Sequence, residues 1–119
     1  MFTLWKFLLI TTFLATVLII PRYAKAPVES AFVKIDNVLA KVINCESGNN
    51  PQAYNPRDID GRPKYGLLQY DEKTFYEWAK KAGIEKPNIW EPVQQIQVYH
   101  YAAKKGLLRH WGCFTKLFP

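Results

Sequence analysis

The chain is short of the residues that metal and cofactor chemistry needs. Its 119 residues include only two histidines, His100 and His110, and two cysteines, Cys45 and Cys113. Neither histidine has a Cys, Asp or His at ligand spacing on a matching helix face, so both read as surface or packing residues. A Gly-rich phosphate cradle is missing, and no Ser or Cys nucleophile is set against a base. Neither a metal nor a small-molecule cofactor is expected. Acids are absent before Pro27, where Lys6, Arg22 and Lys25 stand, so three of the six excess positive charges belong to that stretch and +3 is left for the remainder. An excess that small gives no case for nucleic-acid binding.

What is present suits one domain. A hydrophobic content of 49% with 15% aromatics is ample for a single packed core in a chain of this length, with no sign of repeats or disorder. Phe2 to Ile20 is apolar or hydroxylated except for Lys6, and its uncharged core, Phe7 to Ile20, is 14 residues long. That length lies between a signal-peptide hydrophobic region and a short membrane span. Pro21 ends the helix, and Ala24-Lys25-Ala26 has the small-x-small form that a signal peptidase reads, although Pro27 opposes cleavage. Residues 1–26 are therefore expected to be a signal peptide or a membrane anchor, with flanking charges that leave the topology open. Export would put Cys45 and Cys113 where a disulfide persists, and closing that loop would contribute about 4 kcal/mol on the entropic account.

Residues 27–119 then read as a run of short helices. Val28, Ala31, Phe32, Ile35, Val38, Leu39, Val42 and Ile43 recur at helical steps, and the next step lands on Glu46. Gly48 is a suitable stop. Asn49 to Lys64, with three prolines, three asparagines and Asp60-Gly61, reads as turns and a small β-hairpin. Asp71 suits the N-cap of a helix with Phe75, Trp78, Ala79 and Ala82 on one face, closed by Gly83. Pro92 opens another helix, with Val93, Ile96, Tyr99 or His100, and Ala103 inward and Gly106 after its end. Leu107 to Cys113 reads as one more helical turn that returns Trp111 and Cys113 to the first helix.

Glu46 draws attention on chemical grounds, since a carboxylate at the end of an apolar stripe has its proton affinity raised by the surface behind it. The motifs around it resemble a family. Glu46-Ser47-Gly48, Asn50-Pro51, Gly66-Leu67-Leu68-Gln69 and Asn88-Ile89 are similar to soluble lytic transglycosylase domains of the lysozyme-like superfamily. Cys45 before Glu46, Tyr65-Gly66 with Gln69, Gln94-Gln95-Ile96, and Trp111 close to Cys113 resemble resuscitation-promoting factors, a related branch. The likeness spans about Val38 to Phe114. It implies a mostly α-helical, α+β lysozyme-like domain behind one N-terminal hydrophobic helix.

The resemblance also implies cleavage of the β-1,4 bond between N-acetylmuramic acid and N-acetylglucosamine in peptidoglycan, outside the cytoplasmic membrane, by a monomer. Glu46 would be general acid and then general base. Ser47 and Gln69 would orient the glycan and its acetamido group, and Tyr65 would stack on a sugar face, whereas Tyr70 and Trp111 read as core; Ser47 also reads as a plain helix-end hydroxyl. Two-carboxylate glycosidases need a second acid. In animal-type lysozymes it precedes the Tyr-Gly of a related segment, and here that place holds Lys64. Asp58 and Asp60 are the second acids on offer, although Asp60-Gly61 reads more readily as a turn. Without one, the substrate's N-acetyl group would stabilise the sugar cation, leaving a 1,6-anhydro product. The family's tyrosine after Asn-Ile is replaced by Gln95, and either Tyr99 reaches the same pocket or the role is absent. Rival readings are a lysozyme-type hydrolase, a wall-binding module without turnover, and a structural part of a secretion or phage apparatus.

Overall fold

Helix α1 starts at Asn37 because Asp36 caps it. The Asp36 backbone is extended, and its carboxylate accepts the Leu39 N–H at 2.8 Å, which is an N-cap. In the computed structural model, which describes residues 34–119, α1 runs Asn37–Ser47. The stripe read from Val28 to Ile43 is thus not one continuous helix: Lys34 and Ile35 are not helical, and Ile35 is exposed. Apolar period does not register a cap. Val28, Ala31 and Phe32 lie outside the described residues, as does the leader 1–26. From Leu39 onward the phase is as expected, with Leu39, Val42 and Ile43 buried and Gly48 closing the helix at φ +61°.

The polar stretch that follows does contain a hairpin. Strands β1 (Tyr54–Asn55) and β2 (Lys64–Tyr65) pair antiparallel, with Tyr54 opposite Tyr65 and Asn55 opposite Lys64. Asp60-Gly61 makes the turn: the Gly61 N–H donates to the Asp58 carbonyl at 2.8 Å, and the Asp60 carboxylate accepts the Arg62 N–H at 2.9 Å. Lys64, only 8% exposed, is tolerated there because its ammonium meets Asp60 at 2.7 Å and Asp71 at 3.8 Å.

Asp71 also caps α2 (Glu72–Lys81) through the Thr74 N–H at 2.9 Å. Phe75 and Ala79 are buried and Trp78 is half-buried, but Ala82 lies past the helix and is exposed, contrary to its expected inward place. Helix α3 (Pro92–Lys104) carries the larger correction. Its buried residues are Gln95, Ile96, Val98, Tyr99 and Ala102, while Val93 and Ala103 face outward. The inner face is turned because Gln95, left off the expected inner face, is completely buried. A short 3-10 turn, Leu108–His110, then leads to α4, Gly112–Leu117.

The core sits where these pieces meet. Trp111 is 3% exposed, with its ring 5.4 Å from Tyr70 and 5.1 Å from Tyr99, and its indole N–H donates to the Leu68 carbonyl at 3.0 Å. Cys45 and Cys113 are joined as a disulfide, S–S 2.04 Å, between the end of α1 and the start of α4. The described part is therefore mostly helical with a small two-stranded antiparallel sheet, an α+β arrangement. Among the described residues no helix is long and apolar enough to cross a membrane.

Candidate active site

The last turn of α1 carries Glu46 one step beyond Val42 and Ile43, so the side chain leaves the core at the helix end and is half-buried. Burial pushes its carboxyl above the usual value of 4.5 and is the largest influence on it; the Cys113 N–H, 3.4 Å from Oε1, opposes. The Asp58 charge adds to the rise and the Lys64 charge works against it. The disulfide from Cys45 holds Cys113, and with it that N–H, beside Glu46. The result is a single carboxyl that keeps its proton further toward neutral pH and touches solvent.

The two other acids named from the sequence separate. Asp60 is bound to Lys64 and to the Arg62 N–H, and the Lys64 hydrogen bond holds its carboxyl below the usual range. It is a turn residue and an ion-pair partner. Asp58, half-buried, is the acid whose charge is felt at Glu46. Its Oδ1 has a long 3.5 Å contact from the Asn55 amide.

The substrate-binding candidates fare unevenly. The Ser47 hydroxyl donates to the Ile43 carbonyl at 3.2 Å and accepts the Asn50 N–H at 3.2 Å, which are helix-end bonds. Gln69 sits at φ +53°, uncommon for a residue with a side chain, and its Nε2 donates to the Gly66 carbonyl at 2.8 Å and the Ala53 carbonyl at 3.1 Å. Its amide thereby fastens the 65–70 loop to the hairpin. Tyr65 is half-buried in β2, with its ring 5.3 Å from Tyr54 and 5.4 Å from Trp90. Tyr99 is 3% exposed and packs on Trp111, so its ring has no open face to give a sugar. His110 lies in ring contact with Trp78 and Trp111, and burial lowers its pKa; His100 hydrogen-bonds the Lys34 carbonyl at 2.8 Å.

Gln95 is the residue that sequence reasoning misjudged. Its Oε1 accepts the Leu68 N–H at 2.7 Å, and its Nε2 donates to the carbonyls of Tyr65, at 2.9 Å, and Ile89. Tyr70 adds a bond from its hydroxyl to the Gln95 carbonyl at 3.0 Å. One buried amide thus locks the loop after β2 and the segment before α3 together. Gly66 is required by the same contact, since its φ is +75° and a Cβ there would run into the Gln95 amide. The signal was the helical step from Gln95 to Val98, Tyr99 and Ala102, missed because the inner face was drawn through apolar residues alone.

The site thus offers one proton donor with a raised pKa, a nearby second carboxylate, and an aromatic wall on the hairpin. Among the described residues no group of three His, Cys, Asp or Glu is placed to hold a metal. Comparison of the chain with family models, with curated proteins and with solved structures finds no match.

Proposed function

We propose that this chain is a peptidoglycan-cleaving enzyme of the lysozyme-like kind, a lytic transglycosylase acting on the β-1,4 bond between N-acetylmuramic acid and N-acetylglucosamine. It works as a monomer in the cell envelope, exported or tethered by its N-terminal segment, on glycan strands and without cofactor or nucleic acid. The observation that carries the reading is Glu46. Its carboxyl is partly desolvated and raised in pKa, which are the properties of a general acid, and the disulfide-held Cys113 N–H favours the carboxylate left once the proton is given. The resemblance of Glu46-Ser47-Gly48 and Gly66-Leu67-Leu68-Gln69 to transglycosylase motifs supports the substrate class.

In the reaction Glu46 gives its proton to the glycosidic oxygen as the bond to the muramic C1 breaks. The substrate's acetamido oxygen stabilises that carbon. The Glu46 carboxylate then takes the proton of the C6 hydroxyl as its oxygen bonds to C1, closing a 1,6-anhydro ring without water. Lys64, in the place of the usual second acid and engaged with Asp60, supports this single-carboxylate course. Glu46→Gln should end release of muropeptides from purified wall, and a variant that still digests it would sink the assignment.

One observation favours a second reading. The Asp58 charge acts on Glu46, so a hydrolase with Asp58 as second carboxylate is the alternative. Mass spectrometry of the digest separates the two, since anhydro-muramic ends come only from the first. Asp58→Asn should leave an anhydro-forming enzyme active and stop a hydrolase.

A further inference from the structure

Beside the hairpin stands an aromatic corner in which Tyr65, already a glycan-binding candidate, is joined by two aromatics that the chemistry above leaves out. Tyr54, 56% exposed, and Trp90, 42% exposed, flank Tyr65, with ring centroids 5.3 Å apart for Tyr54–Tyr65, 5.4 Å for Tyr65–Trp90 and 6.5 Å for Tyr54–Trp90. The Tyr65 and Trp90 rings are perpendicular at 89°, and Tyr54 is tilted 42° and 48° to them, so the three form the walls of a corner and not a stacked pile. A groove of about 340 Å³ lined by Gln52 and Trp90 opens there, within the usual size of a small-ligand site.

These rings are held in position. The Trp90 N–H donates to Asn88 Oδ1 at 3.0 Å, while Gln94 fastens the same segment through the Asn88 N–H at 2.6 Å and the Lys86 carbonyl at 3.1 Å. The buried Gln95 amide bonds both the Tyr65 and the Ile89 carbonyl, so it ties the strand that carries Tyr65 to the residue before Trp90. An exposed aromatic pair on so braced a frame gives apolar ring faces at little cost in ordering on binding. The Gln52 amide beside it supplies a polar edge. A flat ligand with one C–H face and hydrogen-bonding rims fits that chemistry, and a pyranose ring is such a ligand.

We propose that Tyr54, Tyr65 and Trp90 form a carbohydrate-stacking subsite that takes an N-acetylated hexosamine ring of a β-1,4-linked strand, with Gln95 as its positioning residue. Tyr54 and Tyr65 lie on the same hairpin as Asp58 and Lys64, whose charges act on Glu46. The choice of sugar rests on the muralytic reading; the stacking corner itself does not.

The test uses the full chain with Glu46→Gln, in a detergent without sugar head groups, titrated calorimetrically with the β-1,4-linked tetrasaccharide of N-acetylglucosamine. Trp90→Ala and Tyr54→Ser should each weaken binding about tenfold, the loss expected from leaving roughly 50 Å² of apolar ring surface uncovered. Tyr76→Ser, at an exposed aromatic on α2, should leave it unchanged. Both side chains are exposed, so folding is not at stake, and a circular-dichroism melt verifies it. Gln95→Glu, in protein that still melts cooperatively, should weaken binding while the tryptophan emission shifts as Trp90 moves. Undiminished affinity in Trp90→Ala and Tyr54→Ser overturns the subsite. That result leaves the catalytic reading standing, because loss of wall digestion by Glu46→Gln is measured separately; digestion that survives Glu46→Gln removes the catalytic reading whatever the binding shows.

Discussion

At the scale of one residue, Glu46 joins a stability effect to a chemical one. Because burial raises its carboxyl above 4.5, the folded protein holds that proton more tightly than the unfolded chain does. The stability this supplies is fully present below the unfolded value and is lost as pH rises through the raised folded value. Glu46→Gln carries no charge at any pH, so relative to the parent it should match in acid and gain as pH climbs past about 4.5 toward neutrality, by no more than about 1 kcal/mol. Denaturant midpoints of the two proteins across that range measure it, and a difference that stays flat would show that burial does not govern this carboxyl. On the proposed function, muralytic activity should follow the same proton. It should decline on the alkaline side as the donor is lost, while Asp60, held low by Lys64, contributes no limb there.

At the scale of the elements, the hairpin, the 65–70 loop and the start of α3 behave as one piece because Gln95 joins them. Gln95→Leu would leave the Leu68 N–H and the Tyr65 and Ile89 carbonyls without their partner, at a cost of about 2–4 kcal/mol. Gly66→Ala meets the same amide at a φ of +75° and should cost a similar amount, and the double variant should cost less than the two added, since both act on one contact. Thermal melts of the three proteins decide it; strict additivity would separate Gly66 from Gln95. This frame is also where sequence reading stopped. Caps and turns at Asp71, Asp60-Gly61 and Gly48 were legible because each is a local bond between near neighbours, and Pro92 because its fixed φ suits a first helical position. The phase of α3 was not, since a glutamine earns its buried place only through partners 6 to 30 residues away. The start of α1 was missed for the opposite reason, a local cap at Asp36 hidden under an apolar period that ran past it. Glu46 was legible as a site because its position followed from that same period, whereas Tyr54 and Trp90 acquire meaning only when β1 and the segment before α3 meet.

Across the described molecule, α4 is held in place twice, through Trp111 to the core and through Cys113 to α1, and the two ties do different things. Trp111, buried against Tyr70 and Tyr99 and bonded to Leu68, fixes the approach to α4 by packing. The Cys45–Cys113 bond, two residues further on, fixes the Cys113 N–H beside Glu46 and closes a loop of 68 residues in sequence. Reduction, or Cys45→Ser with Cys113→Ser, should therefore lower stability by about 4 kcal/mol through the unfolded chain and yet leave a folded protein, since Trp111 keeps its place. The Cys113 N–H is then free to move from Glu46, which loses a hydrogen bond that favours its ionised form and keeps only the weaker pull of the Lys64 charge. Activity measured below the lowered melting temperature should fall, with its alkaline limb moved to higher pH. A protein that melts earlier but digests wall with an unchanged pH profile would show that the disulfide acts as a staple alone, and that α4 presents its N–H to Glu46 through the packing of Trp111.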